Sequence, residues 1–185
     1  MGGADEMNLP NKLTLIRIAM IPVFIACFYI PYSWWNYCAS AIFLIAYITD
    51  IIDGNYARKH GIVTDFGKLM DPIADKLLTS SALIMLTGRG MLSPIPAFII
   101  IAREFIISGF RMVSAGKGNI ISANWIGKVK TVLQCVALLL IMLENPIFSA
   151  LGIPLDKIVL WLSVVLAVWS AGDYIIKNKS ALNFN

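Results

Sequence analysis

Charged residues are scarce in this chain. Asp, Glu, Lys and Arg make up 14% of its 185 residues, against about a quarter in ordinary soluble domains. Hydrophobic residues make up 58%. A small soluble domain still exposes much of its surface, so it cannot bury this much apolar material in one core. The composition therefore excludes an ordinary soluble domain and favours an integral membrane protein.

Cysteine and histidine are also rare. The three cysteines, Cys27, Cys38 and Cys135, lie far apart in apolar segments, so neither a disulfide framework nor a cysteine-based zinc site is indicated. The one histidine, His60, is interpreted as a loop residue. No basic run with interleaved aromatic residues is present, so nucleic acid is not an expected partner. The net charge of +4 comes from Lys and Arg at the ends of apolar segments.

Six apolar segments approach the roughly 20 residues that cross a bilayer. They cover residues 16–30, 35–56, 71–87, 95–113, 125–143 and 158–176. The sequence therefore predicts an all-α integral membrane protein with six transmembrane helices. Residues 8–17 are expected either to form a separate interfacial helix, with a bend at Pro22, or to begin one continuous first helix. Residues 1–6 are expected to be an artificial extension before Met7.

Lysine and arginine are concentrated on one side of this arrangement. The two termini and the second-to-third and fourth-to-fifth loops hold most of them, whereas the other three loops hold only Arg89 and Lys157. The positive-inside rule predicts that both termini face the cytoplasm. The aromatic residues around the first outer loop are expected to form an interfacial belt; they are Tyr29, Tyr32, Trp34, Trp35 and Tyr37.

Four aspartates stand within or beside apolar helices. Asp50 and Asp53 are expected to end the second span, and Asp71 and Asp75 to begin the third. Spacings of three and four residues place each pair on one face of its helix. A charge in a membrane helix costs several kcal/mol unless it is paired or hydrated, so such residues indicate function. Four converging carboxylates would repel one another unless cations neutralised them.

Oxygen ligands without histidine or cysteine nearby are typical of Mg²⁺ or Mn²⁺ sites. The small residues Gly54, Ala57 and Gly67 would let a ligand or a backbone approach these carboxylates closely. The alternative is that the acids form structural salt bridges with the neighbouring basic residues Arg58, Lys68 and Lys76.

These residues follow a recognisable pattern, D-x2-D-G-x2-A-R-x8-G-x3-D-x3-D. It is filled here by Asp50, Asp53, Gly54, Ala57, Arg58, Gly67, Asp71 and Asp75. The pattern resembles the signature of the CDP-alcohol phosphatidyltransferases. Three outer stretches are similar to the bacterial phosphatidylglycerophosphate synthases, a branch of that family: residues 8–17, the Ala102–Phe105 run with Arg111, and residues 125–131.

The resemblance implies one catalytic domain over residues 7–185, with six transmembrane helices in the cell membrane. It also implies a homodimer, a cavity facing the cytoplasm and a site for two metal ions. Asp50, Asp53 and Asp71 would be metal ligands, and Asp75 both a ligand and the general base. The expected reaction transfers a phosphatidyl group from CDP-diacylglycerol to glycerol 3-phosphate and releases CMP. Inositol phosphate, serine or phosphatidylglycerol as acceptor, and a divalent-cation transporter, are the alternatives.

Substrate-binding residues are expected on both sides of the signature. Gly54, Ala57, Arg58 and Gly67, with Asn11, Thr14 and Arg17 from the first segment, would bind the CDP-lipid. Arg103, Arg111 and Lys128 would bind the acceptor phosphate. Three alternatives stay open. Arg58 could be a positive-inside anchor, Arg103 could pair with an aspartate, and Lys128 and Lys130 could extend to the membrane interface.

The general-base assignment predicts that Asp75→Asn lowers turnover about 100-fold or more, because an amide does not accept the proton of the acceptor hydroxyl. CMP release in detergent micelles, with both substrates and divalent metal supplied, measures the effect. Asp156→Asn, remote in sequence from the signature, is the control and should retain normal turnover. Near-normal turnover of Asp75→Asn would show that another group accepts the proton.

Overall fold

The structure is a computed structural model, and it describes residues 9–31, 34–60, 65–116, 125–145, 148 and 151–177. Within these residues the chain forms six long α-helices and no strand, which confirms the predicted all-α class. In chain order they are α1 (Leu9–Cys27), α2 (Trp35–His60), α3 (Asp65–Gly88), α4 (Pro94–Gly116), α5 (Trp125–Met142) and α6 (Leu155–Lys177).

Two helices extend beyond the sequence expectation, and one open alternative is decided. α1 is one continuous helix with Pro22 inside it, which is the second of the two alternatives for the first segment. α3 begins at Asp65, which places Asp71 and Asp75 inside the helix and not at its start. α2 continues to His60, so Asp50 also lies inside its helix. Hydropathy detects the apolar part of a helix, whereas backbone hydrogen bonding continues into its polar end.

Three stretches of the described residues are long and apolar enough to cross a membrane: Trp35–Ile52, Trp125–Met142 and Leu155–Lys177. Large apolar side chains on α6, such as Trp161, Val165 and Trp169, are exposed, as expected for residues that contact lipid. The protein is therefore a multi-pass membrane protein. The crossing of the bilayer by all six helices stays a prediction.

The chain divides into two compact units, residues 1–85 and 86–185. In the first unit α1 packs against α2. The buried residues of α1 follow spacings of three and four, and in order they are Asn11, Thr14, Arg17, Ile21, Phe24 and Cys27; Phe28, directly after the helix, is also buried. This spacing keeps all of them on one face of the helix. The same line is thus apolar at one end and polar at the other.

An aromatic cluster joins the apolar ends of α1 and α2. The ring centroids of Phe24 and Phe28 are 5.2 Å apart, and that of Phe43 lies 6.0 Å from Phe24. Trp35, which was expected in an interfacial belt, is instead buried 4.9 Å from Phe28. The belt residues Tyr29, Trp34 and Tyr37 are exposed, and Tyr32 lies outside the described residues. Contacts between aromatic rings stabilise helix packing in lipid as well as in water. They therefore hold the apolar ends of α1 and α2 together.

In the second unit α4 and α5 both pack against α6. The buried residues again follow spacings of three and four, as in Leu160, Ser163, Ala167, Ser170 and Tyr174 of α6. The ring of Phe110 on α4 meets that of Tyr174 edge to face, with centroids 5.5 Å apart. Small residues on the α6 line let the other two helices approach closely.

Phe24→Ala is expected to destabilise the protein by about 3 kcal/mol or more, because it leaves a cavity between α1 and α2. The exposed neighbour Val23 provides the control, and Val23→Ala should change stability little. The midpoint of thermal unfolding in detergent measures both. Equal midpoints for the two variants would contradict the packing role of the cluster.

Candidate functional site

The polar end of the buried α1 line carries the first set of candidate residues. Thr14 and Arg17 are each 1% exposed, and Asn11 is also buried. They are buried because they continue the spacing of Ile21 and Phe24, so they take the side of α1 that faces the protein. Burial of an arginine on an apolar helix is costly unless a group of opposite charge or other polar groups compensate it.

That partner is an aspartate of the signature. Arg17 Nη1 lies 2.5 Å from Asp50 Oδ1, and the Thr14 hydroxyl donates to Asp71 Oδ1 over the same distance. Thr14 and Arg17 are three residues apart, which is close to one helical turn. Successive turns of α1 therefore contact one carboxylate of α2 and one of α3. This convergence lies within the first unit.

The sequence did not identify these contacts. It suggested Arg58, Lys68 and Lys76 as alternative basic partners of the aspartates, and it did not suggest Arg17, which contacts Asp50. The side chains of Arg58 and Lys68 lie outside the described part of the structure. Lys76 Nζ donates to the carbonyl oxygen of Pro72, 3.0 Å away on its own helix. The useful signal was the position of Arg17, which continues the apolar line of α1.

The aspartates are only partly enclosed. The Asp50 side chain is 34% exposed, and Asp71 and Asp75 are half-buried. Gly67 is buried and Gly54 half-buried. Asp53, Ala57 and Arg58 belong to α2, but their side chains lie outside the described part of the structure. The expectations for those three residues therefore stay predictions.

The donors fit a hard divalent cation in chemical type, because Asp50, Asp71 and Asp75 offer only carboxylate oxygens. Among the described side chains, no three His, Cys, Asp or Glu residues form a group that could hold a metal ion. Asp53, the remaining member of the expected ligand set, is not among those side chains. Metal binding at these aspartates stays a prediction.

A second ionic cluster lies in the second unit. Glu104 Oε1 accepts a hydrogen bond from Arg103 Nη1 at 3.0 Å and another from the Lys130 ammonium group. Lys130 is 3% exposed, and Arg103 and Glu104 are largely buried. The alternative for Arg103, a pair with an aspartate, is corrected here, because the observed carboxylate belongs to Glu104.

Two predicted acceptor residues occupy different surroundings. Lys128 is exposed, whereas Lys130, two residues later, is the buried lysine of α5. Arg111 is exposed, and its guanidinium carbon lies 5.5 Å from the ring centroid of Tyr174, a geometry suited to a cation–π contact. The sequence did not distinguish Lys128 from Lys130, because two lysines so close in a helix look alike until the buried line of α5 is known. That line includes Lys130, Gln134 and Ala137.

The chain is similar to known proteins over most of its length. A family model described as CDP-alcohol phosphatidyltransferase matches residues 7–169. A protein of Bacillus subtilis (strain 168), named CDP-diacylglycerol–glycerol-3-phosphate 3-phosphatidyltransferase, is 42% identical and aligns over 95% of this chain and 97% of its own. Proteins of the same name from Sodalis glossinidius (strain morsitans) and Rickettsia bellii (strain RML369-C) are 39% and 40% identical. Each aligns over 92% of this chain and 94% of its own length.

Arg17→Met is expected to destabilise the protein by about 2 kcal/mol, because it removes the cation in contact with Asp50. Loss of one partner from a fully buried pair costs about 3–5 kcal/mol, and the partial exposure of Asp50 reduces this. Lys12→Met, an exposed lysine on the same helix, is the control. Thermal unfolding in detergent measures both variants, and an unchanged midpoint for Arg17→Met would show that the ion pair adds no stability.

Proposed function

Because this chain belongs to the CDP-alcohol phosphatidyltransferase family, we propose that it transfers the phosphatidyl group of CDP-diacylglycerol to sn-glycerol 3-phosphate. The products would be phosphatidylglycerol phosphate and CMP. The similar proteins carry the name of this reaction over nearly their whole length. The structural observation that supports the proposal is the convergence of Asp50 and Asp71 on adjacent turns of α1.

In this proposal Asp50, Asp53, Asp71 and Asp75 hold two divalent ions, Mg²⁺ or Mn²⁺. When bound, such ions neutralise charge on the diphosphate and improve CMP as a leaving group. The Arg17 and Thr14 contacts hold Asp50 and Asp71 in fixed orientations. Carboxylates that are already held in place lose less freedom when a metal ion binds, so the free-energy cost of binding is lower.

The proposed chemistry is an in-line displacement at phosphorus. Asp75 accepts the proton of the primary hydroxyl of glycerol 3-phosphate. The hydroxyl oxygen then forms a bond to the phosphorus that carries diacylglycerol. The bond from that phosphorus to the CMP oxygen breaks, and CMP leaves with the electron pair. Asp75 is half-buried on α3, on the turn that follows Asp71.

The donor lipid is proposed to bind along α1, α2 and α3. Gly54, Ala57 and Gly67 leave room for the nucleotide beside the backbone. Arg58 binds a phosphate or the ribose. On the side of α1, the site is bordered by Asn11, Thr14 and Arg17. Their burial on one face of the helix supports that role.

The acceptor phosphate is proposed to bind to Arg103 and Arg111, together with a lysine of α5. The structure favours Lys130 over Lys128 for that lysine, because Lys130 shares Glu104 with Arg103 whereas Lys128 is exposed. Such a set of cations favours a phosphorylated acceptor over serine.

The remaining expectations complete the proposal. Residues 7–185 form one catalytic domain in the cell membrane, as a homodimer. Both termini and the aspartates face the cytoplasm, where the water-soluble acceptor is available. The support for this orientation is the distribution of Lys and Arg among the loops.

A CMP-release assay tests the proposal. Purified protein in detergent, given CDP-diacylglycerol and glycerol 3-phosphate, should release CMP, and EDTA should abolish the release until Mg²⁺ or Mn²⁺ is added in excess. Inositol phosphate, serine and phosphatidylglycerol, offered one at a time, should support little release. Release with one of these and not with glycerol 3-phosphate would reassign the acceptor. Metal flux into liposomes without CMP release would instead indicate a transporter.

A further inference from the structure

The cluster of Arg103, Glu104 and Lys130 is built around a single carboxylate oxygen. Glu104 Oε1 accepts from Nη1 of Arg103 and from Nζ of Lys130. Arg103 and Glu104 are adjacent on α4, whereas Lys130 is 26 residues later on α5. Glu104 therefore joins two cationic side chains from different helices at one point.

Arg103 is held from a second direction by α6. Its Nη2 donates to the Ser170 hydroxyl at 2.9 Å, and its Nε donates to the Ala167 carbonyl at 3.4 Å. The Ser170 hydroxyl in turn donates to the same carbonyl. The plane of the guanidinium group is thus set by three contacts from two helices. Lys130 joins the cluster from α5 through its contact to Glu104.

Burial of this charged cluster costs free energy, and the packing of the helices does not require it. Three ionisable side chains lie at largely buried positions in apolar helices, where each charge is expensive. Replacement of a buried ion pair by apolar residues of similar volume is often neutral or stabilising. A lysine side chain also loses considerable rotational freedom when it is fixed. A phosphate-binding site benefits from cations that are already fixed. The loss of their rotational freedom then does not weaken phosphate binding.

We infer that Glu104 is a positioning residue for the acceptor: it holds Arg103 and Lys130 together so that both can bind the acceptor phosphate. This inference rests on the proposed function, and it adds Glu104, a residue of the same sign as the substrate, to acceptor recognition. Glu104 acts through the two cations and does not touch the phosphate. When Glu104 is changed, Arg103 keeps its contacts to Ser170 and Ala167, whereas the ammonium group of Lys130 loses its contact to Glu104.

The test measures initial rates of CMP release by Glu104→Gln in detergent. The KM for glycerol 3-phosphate should rise about tenfold or more, since the neutral amide no longer holds the ammonium group of Lys130 by a charge-assisted hydrogen bond. The KM for CDP-diacylglycerol and the kcat at saturating acceptor should change less than about threefold. Glu144→Gln, the same substitution at an exposed residue after α5, is the matched control and should leave all three parameters unchanged.

A purely structural role would give a different result. Loss of folded protein lowers the apparent kcat and leaves both KM values as they were. An unchanged KM for glycerol 3-phosphate in Glu104→Gln, or an equal rise in both KM values, would therefore overturn the inference.

Lys130→Met provides a second route if Glu104→Gln does not fold. It removes the ammonium group while it keeps an apolar stem, and it should raise the KM for glycerol 3-phosphate by about tenfold or more. An unchanged KM in Lys130→Met would overturn the inference. Where both single variants fold, the double variant should resemble Lys130→Met, because the two residues act together. Multiplication of the two single effects would instead show that Glu104 does not act through Lys130.

A binding measurement separates this inference from the proposed function. Glycerol 3-phosphate should raise the thermal midpoint of the wild-type protein in detergent, and the same concentration should raise that of Glu104→Gln much less. Wild-type protein that is stabilised in this way but releases no CMP would contradict the proposed function alone. Normal turnover with equal stabilisation of both proteins would contradict the role of Glu104 alone.

Discussion

The buried cations Arg17 and Lys130 each have a carboxylate partner on a neighbouring helix, and this constraint organises both candidate clusters. Arg17 reaches Asp50 of the next helix, and Lys130 reaches Glu104 of the preceding one. In an apolar surrounding an unpaired charge is expensive. Each pair therefore links the rotation of one helix about its axis to that of its neighbour. The apolar residues alone would fix that rotation less strictly, because they pack in several registers.

The charged residues are placed by the same spacing that places the apolar ones. Arg17 lies on the line of Phe24 in α1, and Lys130 lies on the line of Ala137 in α5. Spacings of three and four keep each line on one face, so the polar end is buried with the apolar end. A helix with this spacing can place a charged side chain on its buried face while the apolar residues of that face keep their packing. Pro22, on the exposed side of α1, shows that irregular residues are tolerated away from that face.

Much of the architecture could be predicted without coordinates, because it depends on local properties of the chain. The length of an apolar segment predicts a helix, and separations of three and four predict that Asp50 and Asp53, or Asp71 and Asp75, share a face. The helix ends were less predictable. α3 extends back to Asp65 because backbone hydrogen bonds continue where the side chains are polar, and hydropathy does not register them.

The sequence by itself determined the membrane class of the protein, the helical periodicity and the carboxylate pairs on α2 and α3. Only the tertiary structure decided which cation meets which carboxylate. Thr14 and Asp71 are 57 residues apart, and the burial of Lys130 rather than Lys128 depends on the rotation of α5. Both outcomes follow from how far each helix turns about its axis against its neighbours. That angle results from the packing of many side chains at once, and no single segment of sequence encodes it.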